Sequence, residues 1–187
     1  TITQGTFDPG VVLIEGGQFV ITTGSGAAAA VHVDMGFGRG WQQTTQTTDE
    51  TASMKGIKAQ STLEITGGTF TLDTEDDALH SNGNMIIRGG SFTISAGDDA
   101  LHANGEVWVY DGLITVADSY EGIEGTKVVV EGGIISILAS DDGINATSGT
   151  AAAFGNRESP QQGVAVEING GTLRVTATND AIDSNGA

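Results

Sequence analysis

The sequence predicts an all-β protein, a three-sided parallel β-helix with about 22 residues per coil. The segment Glu75–Gly83 reads EDDALHSNG, and it recurs 22 residues later as GDDALHANG at Gly97–Gly105. A fixed period in the twenties indicates structural repeats that stack on one another. Weaker copies of the same segment occupy Met54–Ala59, Ser119–Gly125, Ser140–Ala146 and Asn179–Gly186.

Each repeat is predicted to contain a strand, a Gly-Gly turn, a second strand, an acidic turn and a short third strand. In the repeat that begins at Leu63, apolar and polar residues alternate up to the Gly67-Gly68 pair, and they alternate again in the TFTL stretch that follows. Leu79 falls in the short third strand. Alternation with a period of two directs one row of side chains inward.

Five inward columns of Ile, Val, Leu, Met and Phe can be followed down the repeats. The columns are Val12, Leu63, Met85, Val107, Val128 and Val166; Ile14, Ile65, Ile87, Val109, Val130 and Ile168; Phe19, Phe70, Phe92, Ile114, Ile135 and Leu173; Ile21, Leu72, Ile94, Val116, Ile137 and Val175; and Ile57, Leu79, Leu101, Ile123, Ile144 and Ile182. In a β-helix each coil buries these side chains against the coils about 4.8 Å above and below.

The whole chain, residues 1–187, is expected to form one β-helix domain. Its many glycines (29) and few prolines (2) suit short turns between short strands. The repeat is interrupted twice, by insertions of about 23–53 and 147–163. Insertions at the corners of a β-solenoid often carry binding loops, and tolerated surface loops are an equally good interpretation.

The charge of the chain excludes several classes of partner. A net charge of −17 opposes binding to nucleic acid or to anionic lipid, which need a basic surface. No stretch is long and apolar enough to span a membrane, and there is no cysteine from which a redox compartment could be inferred.

The corner before the short third strand is acidic in most repeats. Stacking would hold like carboxylates about 4.8 Å apart, where they repel and raise one another's pKa unless a cation neutralises them. Only Lys55 and Lys58, in one coil, are placed to do this, so we predict that Ca²⁺ is bound, as a hard cation that accepts many oxygen ligands. The alternative is a solvated acidic face whose Asp residues cap turns.

The motifs of these repeats resemble a known family. The sequences DDALHSNG, GGSFTI, GDDALHANG, SYEGIEG, EGGIISI, SDDGINA and DAIDSNG occur in an order and spacing similar to those of bacterial extracellular carbohydrate-binding domain proteins. That family is typified by a clostridial protein that binds cellulose and acidic sugars and forms a right-handed, calcium-containing β-helix of pectate-lyase-like fold. The resemblance covers about residues 54–187 and implies a secreted, non-catalytic polysaccharide-binding protein at the cell surface.

Carried over by motif, the calcium ligands expected from this resemblance are the carboxylates of the acidic corner: Asp76, Asp77, Asp98, Asp99, Glu121, Glu124, Asp141, Asp142, Asp180 and Asp183. Candidate ligand-binding residues are the neighbours of these carboxylates and one outward aromatic residue: His80, His102, Asn145, Tyr120 and Trp108. The two histidines could hold a transition metal, but donation of hydrogen bonds to the carboxylates is the favoured interpretation.

Two alternative functions remain open. A calcium-dependent polysaccharide lyase would need a basic residue beside the calcium, and Arg39, Arg88, Arg157 and Arg174 all lie outside the acidic columns. A structural subunit of an extracellular filament is the other alternative. The outward first-strand positions Leu13, Ile86, Trp108 and Val129 are apolar and predict a cover, and uncapped terminal coils would permit end-to-end self-association.

Overall fold

A computed structural model of the chain describes residues 9–29, 53–148 and 162–186. Most of both predicted insertions, with Arg39 and Arg157, lies outside the described residues, and so does most of the first ten residues. The strands are β1 (Val11–Ile14), β2 (Gln18–Thr23), β3 (Ile57–Ala59), β4 (Thr62–Ile65), β5 (Thr69–Thr74), β6 (Leu79–Ser81), β7 (Asn84–Ile87), β8 (Ser91–Ala96), β9 (Leu101–Ala103), β10 (Glu106–Val109), β11 (Leu113–Asp118), β12 (Ile123–Gly125), β13 (Lys127–Val130), β14 (Ile134–Ala139), β15 (Ile144–Ala146), β16 (Ala165–Ile168), β17 (Thr172–Ala177) and β18 (Ile182–Ser184).

These strands form three parallel sheets, so the predicted three-sided β-helix is confirmed. The first sheet has the order β1-β4-β7-β10-β13-β16, the second β2-β5-β8-β11-β14-β17 and the third β3-β6-β9-β12-β15-β18. Each coil therefore contributes one strand to every sheet. A single 3₁₀ turn, Ala27–Ala29, is the one helical element in the described part of the chain. No helix of these residues is long and apolar enough to cross a membrane.

The five predicted inward columns are confirmed as the core. Leu63, Met85, Val107 and Val128 are each 0% exposed, and Leu79 and its equivalents in the central coils, Leu101, Ile123 and Ile144, are at most 1% exposed. The described terminal coils are less covered, because within the described residues each has a neighbouring coil on one side only. Ile168 and Ile182, in the last coil, are consequently 43% and 47% exposed.

Aromatic stacking reinforces the column on the second sheet. Phe19, Phe70 and Phe92 pair in register, and their rings stack with centroid distances of 4.7 Å and 4.6 Å. These distances match the spacing of adjacent strands, so the backbone register sets the ring geometry directly.

Two separate constraints favour glycine in the Gly-Gly turns. The second glycine of each pair adopts a positive φ, as in Gly68 (118°) and Gly90 (114°), which side chains with a Cβ rarely tolerate. At Gly132, the first glycine of its pair, the neighbouring coil is too close for a side chain, since a Cβ there would lie 2.5 Å from the carbonyl oxygen of Tyr110. The turns thus fix the sharp corner between the first and second sheets.

We predict that Phe92→Ala lowers the free energy of unfolding by about 3–5 kcal/mol, because it removes a fully buried ring from the middle of the stack. Phe19→Ala, at a partly buried position in the first coil, should cost clearly less. Denaturant unfolding of both variants tests this, and equal losses would contradict a core centred on the middle coils.

Candidate functional site

One corner of the β-helix stacks the predicted acidic residues of successive coils. It joins each strand of the second sheet to the following strand of the third. Backbone bonds hold it in register, with Ala78 N donating to Asp99 O (2.9 Å) and Ala100 N to Glu121 O (3.0 Å). We call this region the acidic corner, and it comprises Asp76, Asp77, His80, Asp98, Asp99, His102, Tyr120, Glu121, Glu124, Asp141, Asp142, Asn145, Asp180 and Asp183.

The central carboxylates of the acidic corner are buried. The sequence indicated outward-pointing side chains, yet Asp77, Asp99 and Glu121 are only 1%, 3% and 8% exposed. Each coil covers the carboxylates of its neighbour, and the small residues of the adjoining column, such as Ala78 and Ala100, keep the coils close. A solvated acidic face therefore does not describe these three residues.

Lys55 neutralises the first part of the acidic corner, as its position in the sequence predicted. Its Nζ donates to Asp76 Oδ1 (2.8 Å) and to Asp77 Oδ2 (2.6 Å). Burial alone would raise the pKa of Asp77, but hydrogen bonds from His80 and Lys55 and the charges of Lys55 and His102 lower it to about 2. Asp77 is therefore a buried carboxylate whose negative charge is already matched within the protein.

The two stacked histidines act as hydrogen-bond donors to the carboxylates, which was the favoured interpretation of the sequence. Nδ1 of His80 donates to Asp77 Oδ2 and Nδ1 of His102 donates to Asp99 Oδ2, both at 2.7 Å. The rings lie 4.9 Å apart. Nε2 of His80 lies 2.8 Å from Asn82 Oδ1, a contact that the sequence repeat did not reveal.

His102 is surrounded by carboxylates from three coils. Its Nδ1 lies 3.7 Å from Asp77 Oδ2 and 3.9 Å from Glu124 Oε2, besides its hydrogen bond to Asp99. Burial alone would lower the pKa of His102, but the bond to Asp99 and the charges of Asp99, Asp77 and Glu124 raise it to about 9. A charged His102 offsets part of the negative charge in the middle coils.

Asp99 and Glu121 have too little positive charge around them. Burial, together with the charges of Asp77, Asp98 and Glu124, raises the pKa of Asp99 well above its usual range, against the opposing bond from His102. Burial and the charges of Asp99 and Glu124 raise the pKa of Glu121 to about 9. These carboxylates are destabilised as anions unless a cation joins them.

Asn145 borders this under-neutralised part of the corner. Its Nδ2 lies 3.2 Å from both carboxylate oxygens of Glu121. Its Oδ1 is buried and has no hydrogen-bond partner in the part of the chain that the structure describes. A buried amide oxygen without a donor is costly, and it provides a neutral oxygen ligand beside the carboxylates.

The last coils of the acidic corner are more open and fit a turn-capping role. Asn179 Nδ2 donates to Asp141 Oδ1, and the backbone N of Asp180 donates to Asp142 Oδ1 at 2.9 Å. A hydrogen bond to Asp141 raises the pKa of Tyr120 to about 12. Asp183 accepts from Asn185 Nδ2 (3.3 Å).

Three groups of side chains bring their potential ligand atoms within 4.8 Å of one another. They are Asp76, Asp77 and Asp98; Asp77, His80 and His102; and Asp99, His102 and Glu124. The first two contain Asp77, which Lys55 already neutralises. Among the described residues, none of these groups includes Glu121, Asp141, Asp142, Asp180 or Asp183.

Trp108 lies apart from the acidic corner, on the outer side of the first sheet. It is half-buried, and its Nε1 donates to Glu106 Oε2 at 2.7 Å. The sequence predicted that the apolar residues of this face are covered. Val129 is covered, since it is 0% exposed, whereas Leu13 is 55% exposed. Arg88, Tyr110 and Lys127 also lie on this face. The sequence did not indicate them, because they do not form a column of one residue type in the repeat.

A protein-family model matches the chain more than once, as expected for a sequence built from repeats. The family of carbohydrate-binding domain-containing proteins matches in three overlapping stretches, residues 8–100, 83–161 and 99–187. The chain belongs to this carbohydrate-binding domain family. The match begins at residue 8, so the family extends well before the residues 54–187 that carried the resemblance in the sequence. No curated protein and no solved structure matches the chain.

The raised pKa of Glu121 makes the stability of this carbohydrate-binding domain depend on pH. Without added metal, the folded state keeps a proton on Glu121 between about pH 4.5 and about pH 9, whereas the unfolded state releases it. This stabilisation is present at low pH and is lost as pH rises through that range. Asp99 and His102 act in the same direction.

We therefore predict that the melting temperature in EDTA falls from pH 5 to pH 9, and that Glu121→Gln reduces this fall by several degrees, since about 1 kcal/mol moves the midpoint by about 2–4 °C in a domain of this size. Thermal melts across this pH range measure it. Glu15→Gln, at an exposed position of the first coil, is the matched control. An identical pH profile for both variants would contradict the assignment.

Proposed function

We propose that the protein is a secreted, non-catalytic polysaccharide-binding protein that binds cellulose, acidic polygalacturonate-like sugars or both. We further propose that it holds Ca²⁺ in the acidic corner and uses this ion to bind the acidic sugars. Membership of the carbohydrate-binding domain family supports the general function. The observation that carries the rest is the pair of buried carboxylates, Asp99 and Glu121, that lack a sufficient counter-charge.

The donor set fits calcium best in the middle coils. Asp99 and Glu124 bring carboxylate oxygens within 4.8 Å of one another and of a ring nitrogen of His102, and Asn145, whose Nδ2 bonds Glu121, supplies the unpartnered amide oxygen. Calcium takes several hard oxygen ligands of this kind with flexible geometry. Asp76 and Asp77 fit less well, because the Lys55 ammonium occupies the side of these carboxylates that a cation would need.

Bound calcium would neutralise these carboxylates and provide coordination positions for the carboxylate of a sugar. The protein itself repels a polyanion, since its net charge is −17. His80, His102 and Asn145 would then orient the protein carboxylates, and Tyr120 lies next to the same corner. A shallow pocket lined by Ala27, Ala28, Asp118 and Tyr120, among others, adjoins it.

A lyase receives less support from the arrangement of charges. Proton abstraction beside the metal needs a base that is not already paired, whereas Lys55 donates to Asp76 and Asp77 and His102 donates to Asp99. Arg88 donates to Glu64 Oε1 (2.6 Å) on the first sheet. Arg174 is on β17, at the outward position that pairs with Ser136. Within the described residues, neither arginine lies in the acidic corner.

Assembly into a filament is the second candidate. The exposed apolar side chains of Leu113 and Ile134, which are neighbours on the outer side of the second sheet, favour it, because a second copy could cover them. A purified chain that stays monomeric by light scattering at high concentration would contradict this candidate.

The calcium proposal predicts that calcium raises the melting temperature and that EDTA reverses the rise. Free calcium at about 100 times its Kd would add about 2.7 kcal/mol. The double variant Asp99→Asn, Glu121→Gln should bind calcium at least tenfold more weakly by isothermal titration calorimetry. Thr71→Ala, Thr93→Ala, on the outer side of the second sheet, is the control. Unchanged midpoints and no bound calcium would refute the proposal.

The same calcium titration with Lys55→Met distinguishes the part of the corner around Asp76 and Asp77 from the part around Asp99 and Glu121. Loss of the ammonium leaves Asp76 and Asp77 without their counter-charge, so calcium binding should gain a second, weaker component. Binding that disappears in Lys55→Met would mean that the calcium site depends on Lys55.

Calcium bridging predicts that the protein sediments with insoluble polygalacturonate in calcium and is released by EDTA. Release of unsaturated oligosaccharides, detected as new ultraviolet absorbance, should not occur. Binding that survives chelation would contradict bridging, and new absorbance would favour the lyase.

A further inference from the structure

The shallow pocket beside the acidic corner coincides with an irregularity in one coil. Strands β8 and β11 pair in register up to Val116, and the register then shifts so that Asp118 pairs with Ser95. Asp118, which ends β11, is exposed, whereas Ala96 and Ala139, which end the corresponding strands of the neighbouring coils, are at most 4% exposed. A bulge of this kind redirects side chains and is common beside binding sites.

The size of the pocket suits a small ligand. Ala27 and Ala28 of the 3₁₀ turn contribute to its lining, together with Asp118, Ser119 and Tyr120 of the irregular coil. Its volume is about 260 Å³, which lies below the range of about 300–1,000 Å³ that is usual for drug-sized ligands. The pocket can therefore hold a small molecule or a single unit of a larger one.

Two carboxylates of the β5 coil hold the 3₁₀ turn in place. Ser25 N donates to Glu75 Oε2 (2.7 Å), and Ala27 N donates to Asp73 Oδ1 (2.8 Å). The part of the lining that comes from this turn is therefore fixed before any ligand arrives, which reduces the entropy that binding would cost.

One polar side chain that lines the pocket lacks a partner. Ser119 is 2% exposed, and its Oγ has no hydrogen-bond partner in the part of the chain that the structure describes. Burial of a hydroxyl group in this state costs free energy. Rotation about χ1 gives the hydroxyl other staggered positions, and a ligand in the pocket would supply the partner that it lacks.

The charges around the pocket favour a cation. Among the described residues that line it, Asp118 is charged and none is basic. A second carboxylate lies close by, since the Tyr120 hydroxyl is hydrogen-bonded to Asp141. The net charge of −17 acts in the same direction, so a cation is attracted to this pocket and an acidic sugar is repelled.

The groups of the lining suit an organic ammonium ion better than a metal ion. Calcium takes about six to eight oxygen ligands, whereas the described lining offers one carboxylate, the hydroxyls of Ser119 and Ser140, and Tyr120. An ammonium group donates only a few hydrogen bonds, which this set can accept. The alanines of the lining, Ala27, Ala28 and Ala96, suit the carbon skeleton that such a ligand carries.

We infer that this pocket binds the protonated amine of an amino sugar, either as a free sugar or as an unacetylated unit of a polysaccharide. Asp118 pairs with the ammonium group, and Ser119 exchanges a hydrogen bond with the amine or with a neighbouring hydroxyl. The inference rests on the carbohydrate-binding function proposed above. It adds a cationic sugar, bound without calcium, at a site separate from the carboxylates of the middle coils.

The test is isothermal titration calorimetry in EDTA at pH 6 with glucosamine, with a fully deacetylated chitosan oligosaccharide and with N-acetylglucosamine. We expect one or both amines to bind, and N-acetylglucosamine, which lacks the charge, to bind at least about tenfold more weakly. Binding of glucosamine identifies a site for a free sugar, and binding of the oligosaccharide alone identifies a site for one unit of a chain. Absence of binding by both amines would overturn the inference.

Replacement of the carboxylate tests the proposed ion pair. Asp118→Asn should weaken binding of the amine about tenfold or more, because it removes the charge of an exposed side chain and keeps its shape. Asp111→Asn is the matched control, since it removes the same charge from an exposed residue of the same coil at a different corner, and affinity should stay within about twofold. Equal losses in both variants would indicate general attraction to an acidic surface and would overturn the inference.

Replacement of the unpartnered hydroxyl separates binding from stability. Ser119→Ala should leave the melting temperature unchanged or raise it, because no hydrogen bond within the described residues is lost. The affinity for the amine should nevertheless fall about threefold or more. Unchanged affinity in this variant would contradict the role given to Ser119.

Failure of this inference differs from failure of the proposed function. Binding to cellulose, or calcium-dependent binding to polygalacturonate, without binding of either amine would overturn the inference alone. Absence of binding to every polysaccharide, charged or neutral, would contradict the proposed function itself.

Discussion

In-register stacking of parallel strands is the constraint on which the rest of this protein depends. Equivalent residues of successive coils are strand partners, as Leu79 and Leu101 are on the third sheet and Phe70 and Phe92 on the second. Each side chain therefore lies one strand spacing from the equivalent side chain of the next coil. For apolar residues this repetition produces a continuous core without helices or disulfides.

For charged residues the same repetition is unfavourable, because it brings like charges close together. Along the acidic corner, this repulsion is offset in different ways in different coils. Lys55 supplies a covalently attached cation to Asp76 and Asp77. In the middle coils, a charged His102 offsets part of the negative charge, but the pKa values of Asp99 and Glu121 remain raised. In the last coils, exposure to water and bonds from Asn179 and Asp180 reduce the conflict, although burial and the charges of Asp141, Asp183 and Asp180 still raise the pKa of Asp142. The outer side of the first sheet has no such conflict, because Arg88 pairs with Glu64 and Lys127 pairs with Glu167 from other coils.

The fold was predictable in detail because its determinants are local and periodic. The spacing of EDDALHSNG and GDDALHANG set the coil length, and alternation within each strand identified the residues of the core. The stacking of the acidic residues and the role of Lys55 followed from the same alignment. The depth of burial did not, because alternation tells which side a residue such as Asp99 faces but not whether neighbouring side chains cover it.

Contacts that depend on side-chain conformation were also beyond the sequence. Arg88 reaches the ring of Tyr110 in the next coil, and Lys127 reaches that of Trp108. These residues form no column of identical type, so the repeat gives no signal for them. Asn82 was missed for a similar reason, since its contact with His80 Nε2 depends on the side-chain conformations of both residues and not on the repeat.

The uneven spacing of strand partners has a consequence for folding kinetics. Most partners on adjacent coils, such as Leu79 and Leu101, are about 22 residues apart, but Val11 pairs with Thr62 and Lys127 with Ala165. Closing the 51-residue separation costs about 0.7 kcal/mol more than closing 22. The coils from β3 to β15 form the longest run of short closures, so we expect this segment to fold first and the coils beyond the insertions to dock onto it later.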